Sequence, residues 1–240
     1  MDLKIMNSLK EGALKFNIDL SDEQLSQFYN YYEMLIKWNE TINLTAITDF
    51  DEVIKKHFLD SISIGRILRQ KEIVSLLDVG TGAGFPGIPI KIAFPYLEIT
   101  LLDSLNKRVS FLNQVIDSLG LEKIVAVHGR AEDFAKKELY REKFDVCVSR
   151  AVANLSSLSE LCLPYVKVGG KFISYKSEKA MEELVLSQNA ISLLGGGNVS
   201  CDAFTLPGAD LQRTFIIIQK VKETPLKYPR KAGIPIKRPL

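Results

Sequence analysis

The chain has 240 residues, 46% of them apolar and 25% charged, and its 31 basic and 29 acidic side chains give a formal net charge of +2. A chain of this length and composition can bury a sizeable core, which excludes disordered, collagen-like and disulfide-stapled proteins. No apolar run approaches the ~20 residues of a membrane span, and the N-terminus lacks a signal-peptide core. We therefore predict a cytoplasmic protein without a membrane segment.

The three cysteines, Cys147, Cys162 and Cys201, lie far apart in the sequence and show no paired metal-ligand spacing. They predict reduced thiols and no metal site. Cys147 lies inside the apolar run 146–148 and is expected to be part of the core.

The first 70 residues show helical patterns and predict an N-terminal helical extension. Ser21 and Gln24 have the spacing of a capping box. Behind them apolar residues recur at helical spacing, at Leu25, Phe28, Tyr32, Leu35 and Ile36. A second helical pattern covers residues 51–68. The many aromatic rings of the first pattern are interpreted as packing residues.

Residues 71–220 alternate between β-rich runs and helical patterns, which predicts βαβ units and a parallel sheet. Strands are expected at residues 73–79, 98–102, 124–128, 144–148 and, after a Gly169-Gly170 turn, 171–175. Helices are expected between them at 87–94, 105–119, 157–166 and 178–194. Two final runs, 198–206 and 214–219, predict an antiparallel pair that closes the sheet. The fold class is therefore α/β and Rossmann-like.

Residues 220–240 carry seven basic side chains, one acidic side chain and four of the nine prolines. Their net charge of +6 leaves −4 for the rest of the chain. A basic, proline-rich segment with few large apolar residues predicts an extended tail over residues 221–240, either solubilising or phosphate-binding.

A glycine-rich loop follows the first predicted strand, with Asp78, Gly80, Gly82 and Gly84 in one turn. The spacing is G-x-G-x-G, whereas the dinucleotide fingerprint needs G-x-G-x-x-G and finds Phe85 instead. The loop predicts a nucleotide-type ligand. An acid at the strand end suits the ammonium and sulfonium of S-adenosylmethionine better than the pyrophosphate of NAD.

Two later strand ends complete the predicted cofactor site. Asp103 lies 19 residues after Gly84, where an acid can accept both ribose hydroxyls. Ala131 and Glu132 follow the third strand, where the adenine is expected. The alternative interpretation of Glu132 is a solvated acidic start of a helix.

Arg150 and Lys176 follow the fourth and fifth strands and predict a cationic mouth for an anionic polymer or an electron-rich ring. The sequence offers no acid–base pair there and no Asp/Asn-Pro-Pro-aromatic motif. A guanine N7 needs no base, because it loses no proton when it is methylated. The pattern also fits a small-molecule methyltransferase or a cofactor-binding ribosome-assembly factor, and less well a dehydrogenase. His57 is interpreted from spacing alone as a structural histidine.

Several segments match a known family, namely residues 38–45 (WNETINLT), 57–61 (HFLDS), 78–90 (DVGTGAGFPGIPI), 103–108 (DSLNKR), 130–132 (RAE) and 149–153 (SRAVA). Over nearly its whole length the chain resembles the bacterial ribosomal RNA small-subunit methyltransferase G family, also called GidB. The Trp-Asn and His-Phe-Leu-Asp-Ser segments are not generic to S-adenosylmethionine folds, so the resemblance is specific.

The resemblance implies methyl transfer from S-adenosylmethionine to N7 of one guanine in the decoding-region loop of 16S rRNA. It also implies a class I methyltransferase fold and small-subunit rRNA or the 30S particle as partner, and we expect a monomer. The implied cofactor contacts are Gly80, Phe85, Ala131, Glu132 and Arg150. The implied substrate-positioning residues are Arg150, Lys176, His57 and Arg213.

Overall fold

The computed structural model describes residues 3–68, 74–150, 153–177 and 180–240. Their strands form one seven-stranded sheet in the order β3-β2-β1-β4-β5-β7-β6. The strands are β1 Ser75–Val79, β2 Glu98–Asp103, β3 Ile124–His128, β4 Phe144–Ser149, β5 Val166–Lys176, β6 Gly196–Thr205 and β7 Gln212–Lys220. Only β7 runs antiparallel to its neighbours, β5 and β6. The predicted parallel sheet that ends in an antiparallel pair is confirmed, and β7 lies between β5 and β6.

Ten α-helices lie in the described ranges. They are α1 Leu3–Leu14, α2 Asp22–Ile42, α3 Phe50–Val53, α4 Asp60–Ile62, α5 Gly87–Ala93, α6 Asn106–Ser118, α7 Ala131–Phe134, α8 Leu155–Cys162, α9 Ala180–Leu193 and α10 Ile234–Lys237. Successive strand residues point to opposite faces of the sheet, so that Leu76 joins the core cluster under α2, α5 and α6, while Leu77 joins the cluster under α8 and α9. Cys147 is fully buried in the second cluster, as predicted.

The prediction for strand β5 was wrong at its beginning. The strand starts at Val166 and passes through Gly169 and Gly170, while the preceding helix ends at Cys162 and continues as a 3₁₀ turn, Leu163–Tyr165. A Cβ on Gly170 would lie 2.6 Å from the carbonyl oxygen of Asp145. The glycine therefore permits a close approach between β4 and β5 at an irregular register, rather than a turn before the strand.

The N-terminal helices pack onto the sheet domain through the aromatic face of α2. Its capping box is present: Gln24 donates its peptide N–H to the Ser21 hydroxyl, and Ser21 donates its own N–H to the Gln24 side chain. Phe28 and Tyr31 are fully buried, and the Tyr31 hydroxyl donates to the carbonyl of Ala83 in the glycine-rich loop. The N-terminal extension therefore holds the glycine-rich loop in position through this contact.

The predicted helix over residues 51–68 is not continuous. A π-helical turn, Ile54–Leu59, separates α3 from α4, and a 3₁₀ turn, Ser63–Arg66, ends the segment. Arg150 donates to the carbonyls of Lys56 and His57 in this turn, at 3.3 and 3.4 Å. Such π turns are concentrated at functional sites, where the extra residue re-aims side chains.

The prediction of an extended tail over residues 221–240 was also wrong. Tyr228 is buried, Pro235 is buried in α10, and the Arg230 guanidinium bonds to the fully buried Glu160 on α8 at 2.6–3.0 Å. A cationic partner offsets the cost of burying a carboxylate, and a late basic residue supplies it here. The boundaries 1–70, 71–220 and 221–240 remain a prediction, and Ile73, Ala151, Val152 and Glu178 lie outside the described residues.

None of the helices in the described ranges is long and apolar enough to cross a bilayer. Those same ranges contain no cluster of three or more His, Cys, Asp or Glu side chains arranged to hold a metal ion.

Candidate active site

Two cavities adjoin at the carboxyl ends of the parallel strands, the edge at which open α/β sheets bind ligands. The larger has a volume of about 810 Å³ and the smaller about 360 Å³. Gly80 and Arg108 line both. The end of β1 therefore lies where the two spaces meet.

The smaller cavity contains the predicted ribose and adenine residues, since Asp103, Ala131 and Glu132 all line it. Asp103 is buried at the end of β2 and accepts the peptide N–H groups of Gly82 and Leu105, both at 2.9 Å. These two bonds fix the carboxylate in the wall and connect it to the glycine-rich loop.

Glu132 is not the solvated residue of the alternative interpretation. It is 6% exposed, and one of its carboxylate oxygens accepts the N–H of Gly233 at 2.7 Å. Its neighbour Ala131 is held by the Tyr165 hydroxyl, which donates to the Ala131 carbonyl at 2.7 Å. The sequence had given no sign that the C-terminal segment reaches this wall.

The three loop glycines have different surroundings. Gly80, Gly82 and Gly84 all have positive φ, at 74°, 63° and 98°. A Cβ on Gly80 or Gly82 would meet no described atom within 4 Å, and both residues line the larger cavity. A Cβ on Gly84 would instead lie 2.7 Å from the Tyr31 hydroxyl. Gly80 and Gly82 therefore leave space for a ligand, whereas Gly84 allows the loop to pack on α2.

Asp78 lies under the loop and lines neither cavity. One carboxylate oxygen accepts the Thr81 hydroxyl at 2.6 Å and the Gly87 N–H at 2.9 Å, while its Oδ1 has no partner among the described residues. Complete burial raises the pKa of Asp78 to about 6. Asp78 organises the loop, and its direct contact with a cofactor remains a prediction.

Phe85, His57 and Arg150 contact one another in the wall of the larger cavity. The imidazole of His57 is parallel to the Phe85 ring with centroids 4.4 Å apart, and the Arg150 guanidinium lies 5.0 Å from the Phe85 centroid. Three residues from distant parts of the sequence thus form one continuous part of the cavity wall.

His57 is held in its neutral form. Its Nδ1 accepts from Arg150 at 3.2 Å, and its Nε2 lies 2.8 Å from the Thr45 hydroxyl. Burial, reinforced by the positive charge of Arg150, lowers the pKa of His57 to about 3. The interpretation as a structural histidine and the implied position at the substrate site are both compatible with this geometry.

Asp60 is a site residue that the sequence analysis did not identify. It is buried, and its two carboxylate oxygens accept from Arg150 and from Arg213, each at 3.0 Å. The only sequence signal was its place in the matched segment 57–61. One acid thus orients two of the predicted substrate-positioning residues.

Lys176 also lines the larger cavity, but it is already engaged. Its ammonium donates to the Ala153 carbonyl and forms an ion pair with Glu183, both at 2.8 Å. Glu183 in turn accepts the Leu155 N–H at the start of α8. The structure therefore brings Lys176, His57, Arg150 and Arg213 to one cavity, each with a protein partner.

Comparison with known proteins identifies the family. The family described as GidB, rRNA small subunit methyltransferase G, matches residues 24–213. The ribosomal RNA small subunit methyltransferase G of Lachnoclostridium phytofermentans is 56% identical over 230 residues, which cover 96% of this chain and 95% of that protein. The chain belongs to the rRNA small subunit methyltransferase G family.

Solved structures agree with this membership at the level of the fold. A protein from Agrobacterium tumefaciens, described as a predicted O-methyltransferase, superposes with a TM-score of 0.52 at 15% identity, covering 65% of this chain and 79% of that one. TYW2 of M. jannaschii, solved in complex with AdoMet, gives a TM-score of 0.50 at 11% identity, covering 64% and 72%. The predicted class I methyltransferase fold of this methyltransferase G family member is confirmed.

Proposed function

We propose that the protein transfers a methyl group from S-adenosylmethionine to N7 of a specific guanine in the decoding-region loop of 16S rRNA. Family membership supports the enzyme class and the ribosomal RNA substrate. The observation that carries the proposal in the structure is the junction of the two cavities at Gly80. A cofactor in the smaller cavity would present its methyl group there to a base in the larger one.

The smaller cavity and the glycine-rich loop suit S-adenosylmethionine. Gly80 and Gly82 leave open space beside the main chain, and Asp103 places a buried acid where ribose hydroxyls need an acceptor. S-adenosylmethionine supplies an electrophilic methyl group on its sulfonium. The residues proposed to hold it are those predicted from the sequence, namely Asp78, Gly80, Gly82, Gly84, Phe85, Asp103, Ala131, Glu132 and Arg150.

The charges around the larger cavity favour a nucleophile that needs no base. Its two acidic lining residues in the described ranges, Asp60 and Glu183, are paired with Arg150, Arg213 and Lys176. Both ring nitrogens of His57 are engaged. A guanine N7 attacks with its in-plane lone pair, the carbon–sulfur bond breaks, and the electron pair stays on sulfur without any proton transfer. Orientation within the cavity then provides the rate acceleration.

We further propose that Arg150, Lys176, His57 and Arg213 position the substrate nucleotide. Arg150 and Arg213 present guanidinium groups that can bind phosphate or the O6 edge of guanine. The neutral imidazole of His57 beside Phe85 gives a flat apolar face that adds no charge next to the cationic methylated base. In this proposal the partner is small-subunit rRNA or the 30S particle in the cytoplasm, and the protein acts as a monomer.

The test uses pure protein, labelled S-adenosylmethionine, and 30S particles or extracted 16S rRNA from a strain that lacks the gene. Borohydride–aniline treatment cleaves RNA at 7-methylguanine and maps the labelled position. We expect stoichiometric label at one cleavable guanine. Light scattering of the same preparation reports the mass in solution.

Two results would count against the proposal. Binding of S-adenosylmethionine without label in particles or RNA would favour an assembly factor or a small-molecule methyltransferase. Label at a guanine that resists aniline cleavage would support methyltransferase activity but exclude N7 as the methylated atom.

A further inference from the structure

We infer that residues 228–238, here called the C-terminal strap, form the outer wall of the adenine end of the S-adenosylmethionine site. This inference rests on the proposed function, because it assigns a role to the strap within that cofactor site. It adds a segment that the sequence motifs of the site do not include.

The strap is anchored to the domain through buried polar groups on α8. Arg230 donates its peptide N–H to Glu160 at 2.7 Å in addition to the bonds from its guanidinium, and that guanidinium also donates to the Arg238 carbonyl at 2.7 Å. The fully buried Ser157 hydroxyl donates to the carbonyl of Pro235 at 2.7 Å. Both ends of the strap are therefore fixed in position.

Between these anchors the strap contacts the predicted adenine residue directly. Gly233 has a φ of 81°, which turns its N–H onto the Glu132 carboxylate. Glu132 is 6% exposed, so this bond satisfies a carboxylate oxygen with little access to water. The strap therefore sets the orientation of a side chain in the cofactor wall.

Gly233 and Ile236 themselves line the smaller cavity. Ile236 is 50% exposed and lies on the same cavity as Leu158, Leu161 and Ala131. A flat purine between two apolar surfaces buries both of its faces, and the strap supplies one of those surfaces. In the cofactor complex the purine would cover the exposed half of the Ile236 side chain.

The experiment measures the Kd of S-adenosylhomocysteine for the full chain by calorimetry. We expect Ile236→Ala to weaken binding about tenfold without lowering the melting temperature, because Ile236 is half-exposed. Gly233→Ala should also weaken binding, because an alanine is strained at this positive φ and relief of the strain displaces the N–H that holds Glu132. The added Cβ itself meets no described atom within 4 Å. Leu226→Ala is the matched control, because Leu226 is 87% exposed and lines neither cavity.

Amide hydrogen exchange gives a second measurement. S-adenosylhomocysteine should slow exchange at Gly233 in the wild-type protein. Wild-type affinity in both variants, with exchange at Gly233 unchanged by the ligand, would overturn the role of the strap and leave the proposed function intact. A wild-type protein that binds no S-adenosylhomocysteine would overturn the proposed function and this inference together.

Discussion

Asp60 sets the charge balance of the larger cavity, because its two carboxylate oxygens hold the guanidinium groups of Arg150 and Arg213. A buried acid between two arginines leaves a net positive charge and fixes both side chains before the substrate arrives. Preorganised cations of this kind stabilise an anionic RNA without a rearrangement at the moment of reaction. The function proposed for each arginine therefore depends on a residue with no chemical motif of its own.

Arg150→Lys tests this geometry while it conserves the charge. Lysine cannot donate to Asp60, to His57 and to the π-turn carbonyls at once, so we expect kcat to fall at least about tenfold with little change in melting temperature. Arg66→Lys is the matched control, because Arg66 also forms a two-point ion pair, with Asp202, away from both cavities. Wild-type turnover by the pure Arg150→Lys protein would exclude the role proposed for Arg150.

The low pKa of His57 predicts how the stability of the folded protein changes with pH. Its pKa is about 3 in the folded protein against an ordinary value of 6.5. Below pH 6.5 the unfolded chain takes up a proton that the folded protein does not, so the free energy of unfolding falls as the pH decreases towards 3. For this one group the slope is about 1.4 kcal/mol per pH unit.

The measurement is urea unfolding of the wild-type protein and of His57→Gln at pH 7, 6 and 5. The variant should lose less stability on acidification, and Asp78 is present in both proteins, so its own titration cancels in the comparison. His128→Gln serves as control, since His128 is exposed at the end of β3. Equal slopes for the wild type and His57→Gln would show that the imidazole is not held neutral.

At the scale of single elements, the glycine-rich loop connects the proposed cofactor site to the N-terminal helices. Its outer side carries Gly80 and Gly82, and its inner side packs Gly84 against Tyr31. The sequence predicted the loop and its ligand class because the G-x-G-x-G spacing is local. It did not predict the separate functions of the glycines, since the neighbour of Gly84 lies about fifty positions earlier in the chain.

Alanine substitutions separate these functions. Gly82→Ala and Gly120→Ala should each cost about 1 kcal/mol of backbone strain, because both have φ near 60° and open space at Cβ. Only Gly82→Ala should weaken S-adenosylhomocysteine binding, as measured by calorimetry. Gly84→Ala should lose more stability than either, since its Cβ would lie 2.6 Å from Ile88. Equal stability losses for all three would contradict this assignment.

The segment 51–68 shows where hydrophobic periodicity fails to predict the local structure. Its apolar spacing predicted one helix, and the chain is helical almost throughout, but the π turn Ile54–Leu59 inserts an extra residue. The carbonyls of Lys56 and His57 in this turn accept hydrogen bonds from Arg150, which lies more than ninety positions later in the sequence. A local pattern carries no information about such a partner.

At the scale of the whole molecule, the C-terminal segment is bonded to helices and loops from earlier parts of the chain. Lys220 is fully buried and donates to the carbonyls of Leu163 and Val166, and Arg141 donates to the carbonyls of Thr224 and Tyr228. Burial lowers the pKa of Lys220, against the raising effect of Glu142. Two of the basic residues that predicted an extended tail, Lys220 and Arg230, instead form internal ion pairs with Glu142 and Glu160.

Arg230→Ala tests this integration. Removal of the guanidinium leaves the fully buried Glu160 without its cation, and we expect a loss of roughly 3 kcal/mol in the free energy of unfolding. Lys231→Ala is the adjacent control, because Lys231 is exposed. Urea titrations of both variants give the values. Equal stability of the two variants would mean that the segment is not part of the folded unit.

The sequence by itself determined the order of strands and helices, the glycine-rich loop and the acid of β2, because hydrophobic periodicity and turn chemistry act between neighbouring residues. Matched segments also determined the family. Only the tertiary structure decided that β7 lies between β5 and β6, that Asp60 bridges two arginines, and that Gly233 contacts Glu132. These features depend on contacts between residues far apart in the chain, and the geometry of such contacts is fixed only when the complete core packs.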